Sequence, residues 1–165
     1  MKRIALALMG LAGLWLGGRW LWQTLRSDED QIRARLEAAC EGFSEARMNP
    51  ILELLAPAFV DEMSGFHRDD VRAAVASAFF QEKDPVTRGF PYRAVVVPES
   101  LVIEVGQPAA GSAETRATIR ITDTRDGAER TAWEFALSGT LQETDDGWQL
   151  VHTRHDTVQG SWKLR

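Results

Sequence analysis

The apolar residues between Ser27 and residue 81 recur every three or four positions, which is the spacing of one helix face. Ser27 is a good N-terminal cap for the first helix, whose inward positions are Ile32, Leu36, Ala39, Cys40 and Phe43. Pro50 suits the first turn of a short second helix, and residues 67–80 carry the spacing of a third. The pattern therefore predicts three amphipathic helices in the first half of the chain.

After Pro91 the apolar residues recur every second position, which is the period of a strand with one buried face. The clearest case is residues 113–122, where Ala117, Ile119 and Ile121 alternate with Arg and Thr. The predicted strands are residues 92–97, 101–105, 113–122, 131–143 and 148–155. Together these elements predict an α+β domain, with three helices packed on the concave face of a curved antiparallel sheet.

Turn chemistry sets the pairing of the long strands. A three-residue loop over residues 125–127 ends in glycine, and it predicts Ile119 opposite Trp133 and Thr118 opposite Glu134. This register keeps the apolar faces of both strands on the same side of the sheet.

The acidic turn before the last strand leaves two registers open. One pairs Leu141 with Val151 and places His155 on the apolar side of the sheet. The other pairs Leu141 with Leu150 and places His152 there. The sequence does not decide between them.

Residues 1–27 predict a signal anchor. Lys2 and Arg3 precede an uncharged run, and residues 4–22 are just long enough for a single transmembrane helix. Trp20 and Trp22 then fall where an aromatic belt forms, and the charge pattern favours a cytoplasmic N-terminus, with the domain outside the cytoplasm. A cleaved signal peptide is the alternative, and the protein is then secreted. The remainder divides into one domain, residues 28–157, and a C-terminal tail, residues 158–165.

Charge and cysteine content narrow the partners. All 24 acidic residues lie after Ser27, whereas four of the 19 basic residues precede it. An acidic domain repels the phosphate backbone, which argues against nucleic acid as a partner. The single Cys40 allows no disulfide within the chain and is predicted to be a small core residue.

Three phrases of the sequence resemble the nuclear transport factor 2-like superfamily, the cone-shaped fold of ketosteroid isomerases and polyketide cyclases. They are residues 43–46, residues 51–62, and residues 146–152, and the resemblance covers about residues 28–157. It implies a pocket between the helices and the concave sheet face. It also implies that two copies often pair through their sheets, so a homodimer is one expected partner.

The resemblance also implies positions for a catalytic site. The position of the isomerases' catalytic base falls near Asp61 or Glu62. An alignment without a gap places that position equally well at Met63. The tyrosine that the isomerases carry on their first helix has no counterpart, since Tyr92, the only tyrosine, lies in a predicted strand. The resemblance thus makes Asp61 and Glu62 candidate catalytic residues, and His152 is a further candidate from the histidines of the last predicted strand. The expected pocket residues are Phe43, Phe59, Trp133, Phe135, His152 and His155.

No cofactor or metal is expected. The chain has no glycine-rich phosphate loop and no zinc-spaced cysteines or histidines, and His152 and His155 are three apart on a strand and face opposite sides. The sequence predicts a membrane-attached binding or assembly module for a hydrophobic small molecule or a partner protein. The alternatives are an isomerase- or cyclase-like enzyme with Asp61 or Glu62 as base, and a structural domain whose pocket is filled by Phe43, Trp133 and Phe135.

Overall fold

The computed structural model describes residues 27–84, 86–125 and 127–161. The predicted membrane segment, about residues 4–22, lies outside these ranges. Within them, no helix has both the length and the apolar character needed to cross a membrane.

Three helices and six strands follow one another within the described ranges. The helices are α1 (Asp28–Ser44), α2 (Met48–Leu54) and α3 (Arg68–Gln81). The strands are β1 (Leu55–Asp61), β2 (Tyr92–Val96), β3 (Val102–Val105), β4 (Ser112–Asp123), β5 (Arg130–Thr144) and β6 (Gly147–Gly160). A short 3-10 turn, Pro98–Ser100, joins β2 to β3. The predicted helices and the five predicted strands are all present.

The sheet is mixed, which corrects the prediction of a purely antiparallel one. Its strand order is β1-β6-β5-β4-β2, and β3 also pairs with β4. The difference is β1, which pairs in parallel with β6. The sequence pattern does not predict this strand, because Pro57 lacks an N–H and indicates a break after the second helix. An edge strand tolerates proline, and the β1–β6 pairing is irregular between Leu55 and Val60.

The pairing of β4 with β5 is shifted by two residues from the prediction. Ile119 lies opposite Phe135, and Ile121 lies opposite Trp133. The connection from Asp123 to Arg130 is longer than a three-residue loop, and the register shifts once more at Ile121. Because the offset is even, the same residues still face the helices.

A bulge in β6 decides which histidine faces the helices. Leu141 pairs with Leu150, but the register shifts before Thr140 pairs with His152. The extra residue, Val151, reverses the side of the side chains that follow it as far as Thr157, where the register shifts again. His155 therefore faces the concave side, although this pairing of Leu141 was expected to place His152 there.

The fully buried core lies where α1 crosses the sheet near the β5–β6 turn. Ile32 and Leu36 of α1 pack against Leu141, Trp148 and Leu150, and all five are at most 3% exposed. Ser27 caps α1, since its hydroxyl oxygen accepts the backbone N–H of Asp30 at 3.2 Å.

The last strand is longer than predicted. It extends to Gly160 and still pairs there, with Trp133, so the first residues of the predicted tail, 158–160, belong to the sheet. Towards this end of the sheet the aromatic residues of β5 are only partly buried, and the domain is hollow.

Candidate functional site

A cavity of about 540 Å³ lies between the helices and the concave face of the sheet. This size falls within the range of ~300–1,000 Å³ that is typical of small-molecule sites. Of the expected pocket residues, those that line it are Phe43, Phe59, Trp133, Phe135 and His155. Most of the remaining lining is aliphatic and comes from all three helices and the sheet.

Asp61 ends β1 and points its carboxylate into this apolar space, where the residue is 6% exposed. Its Oδ2 accepts the backbone N–H of Ser64 at 2.9 Å and the Ser64 hydroxyl at 2.7 Å. Gly65 takes the left-handed conformation that closes the turn, with φ of +70°. The chain thus turns back after Asp61, and Ser64 of this turn donates both hydrogen bonds to Oδ2.

The other carboxylate oxygen of Asp61 is bound by β6. The Thr153 hydroxyl donates to Oδ1 at 2.9 Å, and Nδ1 of His155 lies 3.2 Å from the same atom. Thr153 and His155 are two residues apart after the bulge, so both side chains point to the concave side. The parallel pairing of Asp61 with Thr153 brings the two strands into register here.

The surroundings of Asp61 lower its pKa. Burial acts to raise the pKa of this carboxyl, but the hydrogen bonds from Ser64, His155 and Thr153 outweigh it and hold the pKa below its ordinary value. The group is therefore an ionised carboxylate at neutral pH. Such a group only accepts hydrogen bonds, so Nδ1 of His155 carries the proton and Nε2 is the nitrogen left for a ligand.

Two aromatic rings hold the imidazole of His155 in place. The ring centres of Trp133 and Phe135 lie 5.9 Å and 6.0 Å from it, both edge-to-face. The indole N–H of Trp133 donates to the Thr157 hydroxyl at 3.2 Å. His155 thus has its proton position set by Asp61 and its orientation set by the aromatic pair.

Two of the three candidate catalytic residues lie elsewhere. Glu62 and His152 are exposed and border a groove of about 330 Å³ on the outer face of the sheet. Glu62 follows the last residue of β1, and the bulge at Val151 turns His152 outward. The expectation that His152 lines the helix-side pocket is corrected accordingly.

Cys40 lines the cavity from α1. Burial, with a smaller contribution from the charge of Glu37, raises the pKa of its thiol to about 12. The thiol is therefore neutral at physiological pH and is a poor nucleophile.

Tyr92 lies at the start of β2, where its hydroxyl is 3.3 Å from a carboxylate oxygen of Glu82 and also contacts Arg125. This contact joins the end of α3 to the β4–β5 connection. In the described ranges, no group of three or more His, Cys, Asp or Glu side chains is arranged to hold a metal ion.

Sequence reasoning missed Ser64 and Thr153. The first had a local signal, since an aspartate three residues before a serine favours a side-chain-to-backbone turn. Thr153 had none, because its role depends on β1, a strand that the sequence pattern did not predict.

No protein-family model matches the chain, and no curated protein matches it by sequence. Solved structures do match. A protein of unknown function with a cystatin-like fold from Nostoc punctiforme has a TM-score of 0.58 at 11% identity, covering 77% of this chain and 88% of that one.

Two further structures carry more specific descriptions. A nuclear transport factor 2-like protein with a cystatin-like fold from Novosphingobium aromaticivorans has a TM-score of 0.56 at 19% identity, covering 88% of this chain and 90% of that one. A ketosteroid isomerase-like protein from Erwinia carotovora atroseptica has a TM-score of 0.54 at 17% identity, covering 82% and 99%. At these identities the likeness establishes the α+β, nuclear transport factor 2-like fold and nothing finer.

Proposed function

We propose that this protein binds a hydrophobic small molecule in the cavity between its helices and its sheet. The observation that carries the proposal is an apolar cavity of about 540 Å³ with one organised polar pair, Asp61 and His155, in its wall. An apolar lining with few fixed polar groups is typical of small-molecule sites. Burial of an apolar ligand supplies affinity at roughly 25 cal/mol per Å².

The wall of the cavity also argues against the purely structural alternative. Phe43, Trp133 and Phe135 were expected to fill the space in that case, but they stand around it. Trp133 and Phe135 pack on each other, with ring centres 4.2 Å apart. The aromatic side chains therefore supply walls and leave room for a ligand.

An enzyme of the isomerase kind is the second candidate, favoured by the contact of Asp61 with His155. Asp61 itself is unsuited to be the base, because four hydrogen-bond donors surround its oxygens and its pKa is lowered. The base in this candidate is His155, with Asp61 as a positioning residue. Nε2 would take a proton from carbon beside a carbonyl and return it to another carbon of the same molecule.

The binding proposal is tested with naphthalene, a rigid apolar probe that fits the cavity, by equilibrium dialysis against the full chain. Ala74 of α3 lines the cavity, whereas Ala76 on the same helix is exposed. Ala74→Phe fills part of the space and is expected to weaken binding about tenfold, which is ~1.4 kcal/mol. Ala76→Phe adds the same ring outside the cavity and should bind like the unchanged protein.

Equal binding by both variants would place the naphthalene on the surface and contradict the proposal. No binding to the unchanged protein would contradict it as well. The membrane attachment, the export of the domain and the pairing of two copies through their sheets stay predictions of the sequence.

A further inference from the structure

We infer that the ligand of this cavity carries a hydroxyl or similar hydrogen-bond donor on its apolar body, and that Nε2 of His155 accepts that donor. The inference rests on the proposed binding function and adds the chemical class of the ligand to it. It follows from the partners of the side-chain hydrogen-bond donors in the described cavity wall.

The donors of the cavity wall are already engaged. The hydroxyls of Ser64 and Thr153 donate to Asp61, and Nδ1 of His155 is directed at the same carboxylate. The indole N–H of Trp133 donates to Thr157. Among the described lining residues this leaves only the thiol of Cys40, which is a weak donor.

One strong acceptor remains in the wall. The ionised Asp61 requires a hydrogen from each of its partners, so the proton of an uncharged imidazole at His155 lies on Nδ1 and its lone pair lies on Nε2. No described residue donates a hydrogen bond to Nε2. The rings of Trp133 and Phe135 stand edge-on to the imidazole and restrict its rotation away from this position.

An acceptor in an apolar wall selects between ligands of equal shape. A ligand hydroxyl donates to Nε2 and loses little on leaving water. An ether or carbonyl oxygen finds no strong donor in the described wall and loses its hydrogen bonds with water, which costs free energy. Formation of an enolate also needs donors at its oxygen, so the isomerase candidate predicts the opposite preference, for a carbonyl compound.

The test uses four probes with the same aromatic body: naphthalene, 2-naphthol, 2-methoxynaphthalene and 2-acetylnaphthalene. Binding to the full chain is measured by equilibrium dialysis at pH about 8, where a free imidazole is mostly neutral. We expect 2-naphthol to bind roughly fivefold more tightly than 2-methoxynaphthalene, as one net hydrogen bond supplies. The ketone is expected to gain nothing over the ether.

Two variants assign the preference to one nitrogen. His155→Phe keeps a ring of similar size and is expected to abolish the preference for 2-naphthol while naphthalene still binds. His152→Phe makes the same change on the outer face of β6, where the side chain is exposed, and should leave the preference intact.

The outcomes separate this inference from the binding function. Equal binding of 2-naphthol and 2-methoxynaphthalene, with naphthalene bound, overturns the inference and leaves the function standing. A preference for the ketone, or a naphthol preference that survives His155→Phe, also overturns it. If none of the four probes binds, the proposed function itself fails.

Discussion

Two turns of this protein are built around a buried aspartate, and only one of them contributes to the candidate site. Asp61 and Asp84 are 6% and 7% exposed. Each accepts the backbone N–H of the residue three positions on, Ser64 at 2.9 Å and Thr87 at 2.6 Å. Hydrogen bonds lower the pKa of both carboxyls. By these measures the two residues are alike.

They differ in what the rest of the carboxylate contacts. Oδ1 of Asp84 accepts hydrogen bonds within its own loop, from the backbone N–H of Val86 at 2.8 Å and from that of Thr87. Asp61 has one oxygen in its turn and the other against Thr153 and His155 of β6. A buried aspartate with a lowered pKa is thus sufficient to close a turn. It contributes to the candidate site only where, as at Asp61, it also contacts a histidine ring that lines the cavity.

The largest effect is expected from truncating each aspartate. Asp61→Ala leaves the buried Thr153 hydroxyl without an acceptor and opens a turn, and we expect a loss of about 3 kcal/mol in the free energy of unfolding. Asp84→Ala should cost less, because the loop that it holds is open to water, with Val86 87% exposed. Urea unfolding of both variants measures the two losses.

The two alanine variants are expected to differ in their preference for 2-naphthol. Without Asp61, the proton of His155 is free to move to Nε2, so Asp61→Ala should lose the preference for 2-naphthol. Asp84→Ala should retain it. Loss of the preference in both variants would show that the comparison of the two turns is mistaken.

Most helices and strands of the fold were predictable because their apolar residues recur with a regular helix or strand spacing. Residues 113–122 alternate without interruption, and the helix spacing in α1 and α3 is equally clear. The strand β1 was not, because seven residues containing Pro57 have no period of their own and are held as a strand by pairing with β6. The parallel edge of this sheet is set by tertiary contact.

The candidate site was half predictable. The resemblance placed a carboxylate at Asp61 or Glu62, but its partner depends on a bulge that adds Val151 to β6. Leu150 and Val151 are both apolar, so the sequence pattern is the same with or without the bulge. Turn length gave two registers, and neither combined the observed pairing of Leu141 with an inward His155.

A smaller effect is expected from removing one contact of Asp61 with β6. Thr153→Val keeps the shape of a residue that is 6% exposed but removes its hydroxyl, and we expect a loss of about 1 kcal/mol in urea unfolding. The naphthol preference should be retained, since His155 keeps its own contact with Asp61. Thr140→Val removes a hydroxyl beside the groove on the outer face of the sheet and serves as the control, with a smaller loss. A lost preference in Thr153→Val would mean that Asp61 alone does not keep the proton of His155 on Nδ1.

The smallest effect is expected from acid, because protonation leaves each aspartate and most of its contacts in place. A pKa below the ordinary value means that the unfolded chain takes up the proton more readily than the folded protein. The stability from Asp61 and Asp84 is therefore present above the ordinary carboxyl pKa of about 3.9 and is lost as the pH falls below it.

Asp61→Asn and Asp84→Asn should each reduce the loss of stability with falling pH, measured by urea unfolding, since both turns share the same hydrogen-bond chemistry. If only one substitution changes the pH dependence of stability, the two carboxylates do not stabilise their turns in the same way. A similar pH dependence of stability combined with unequal naphthol binding would show that turn closure supplies the stability and that the β6 contacts alone supply the site.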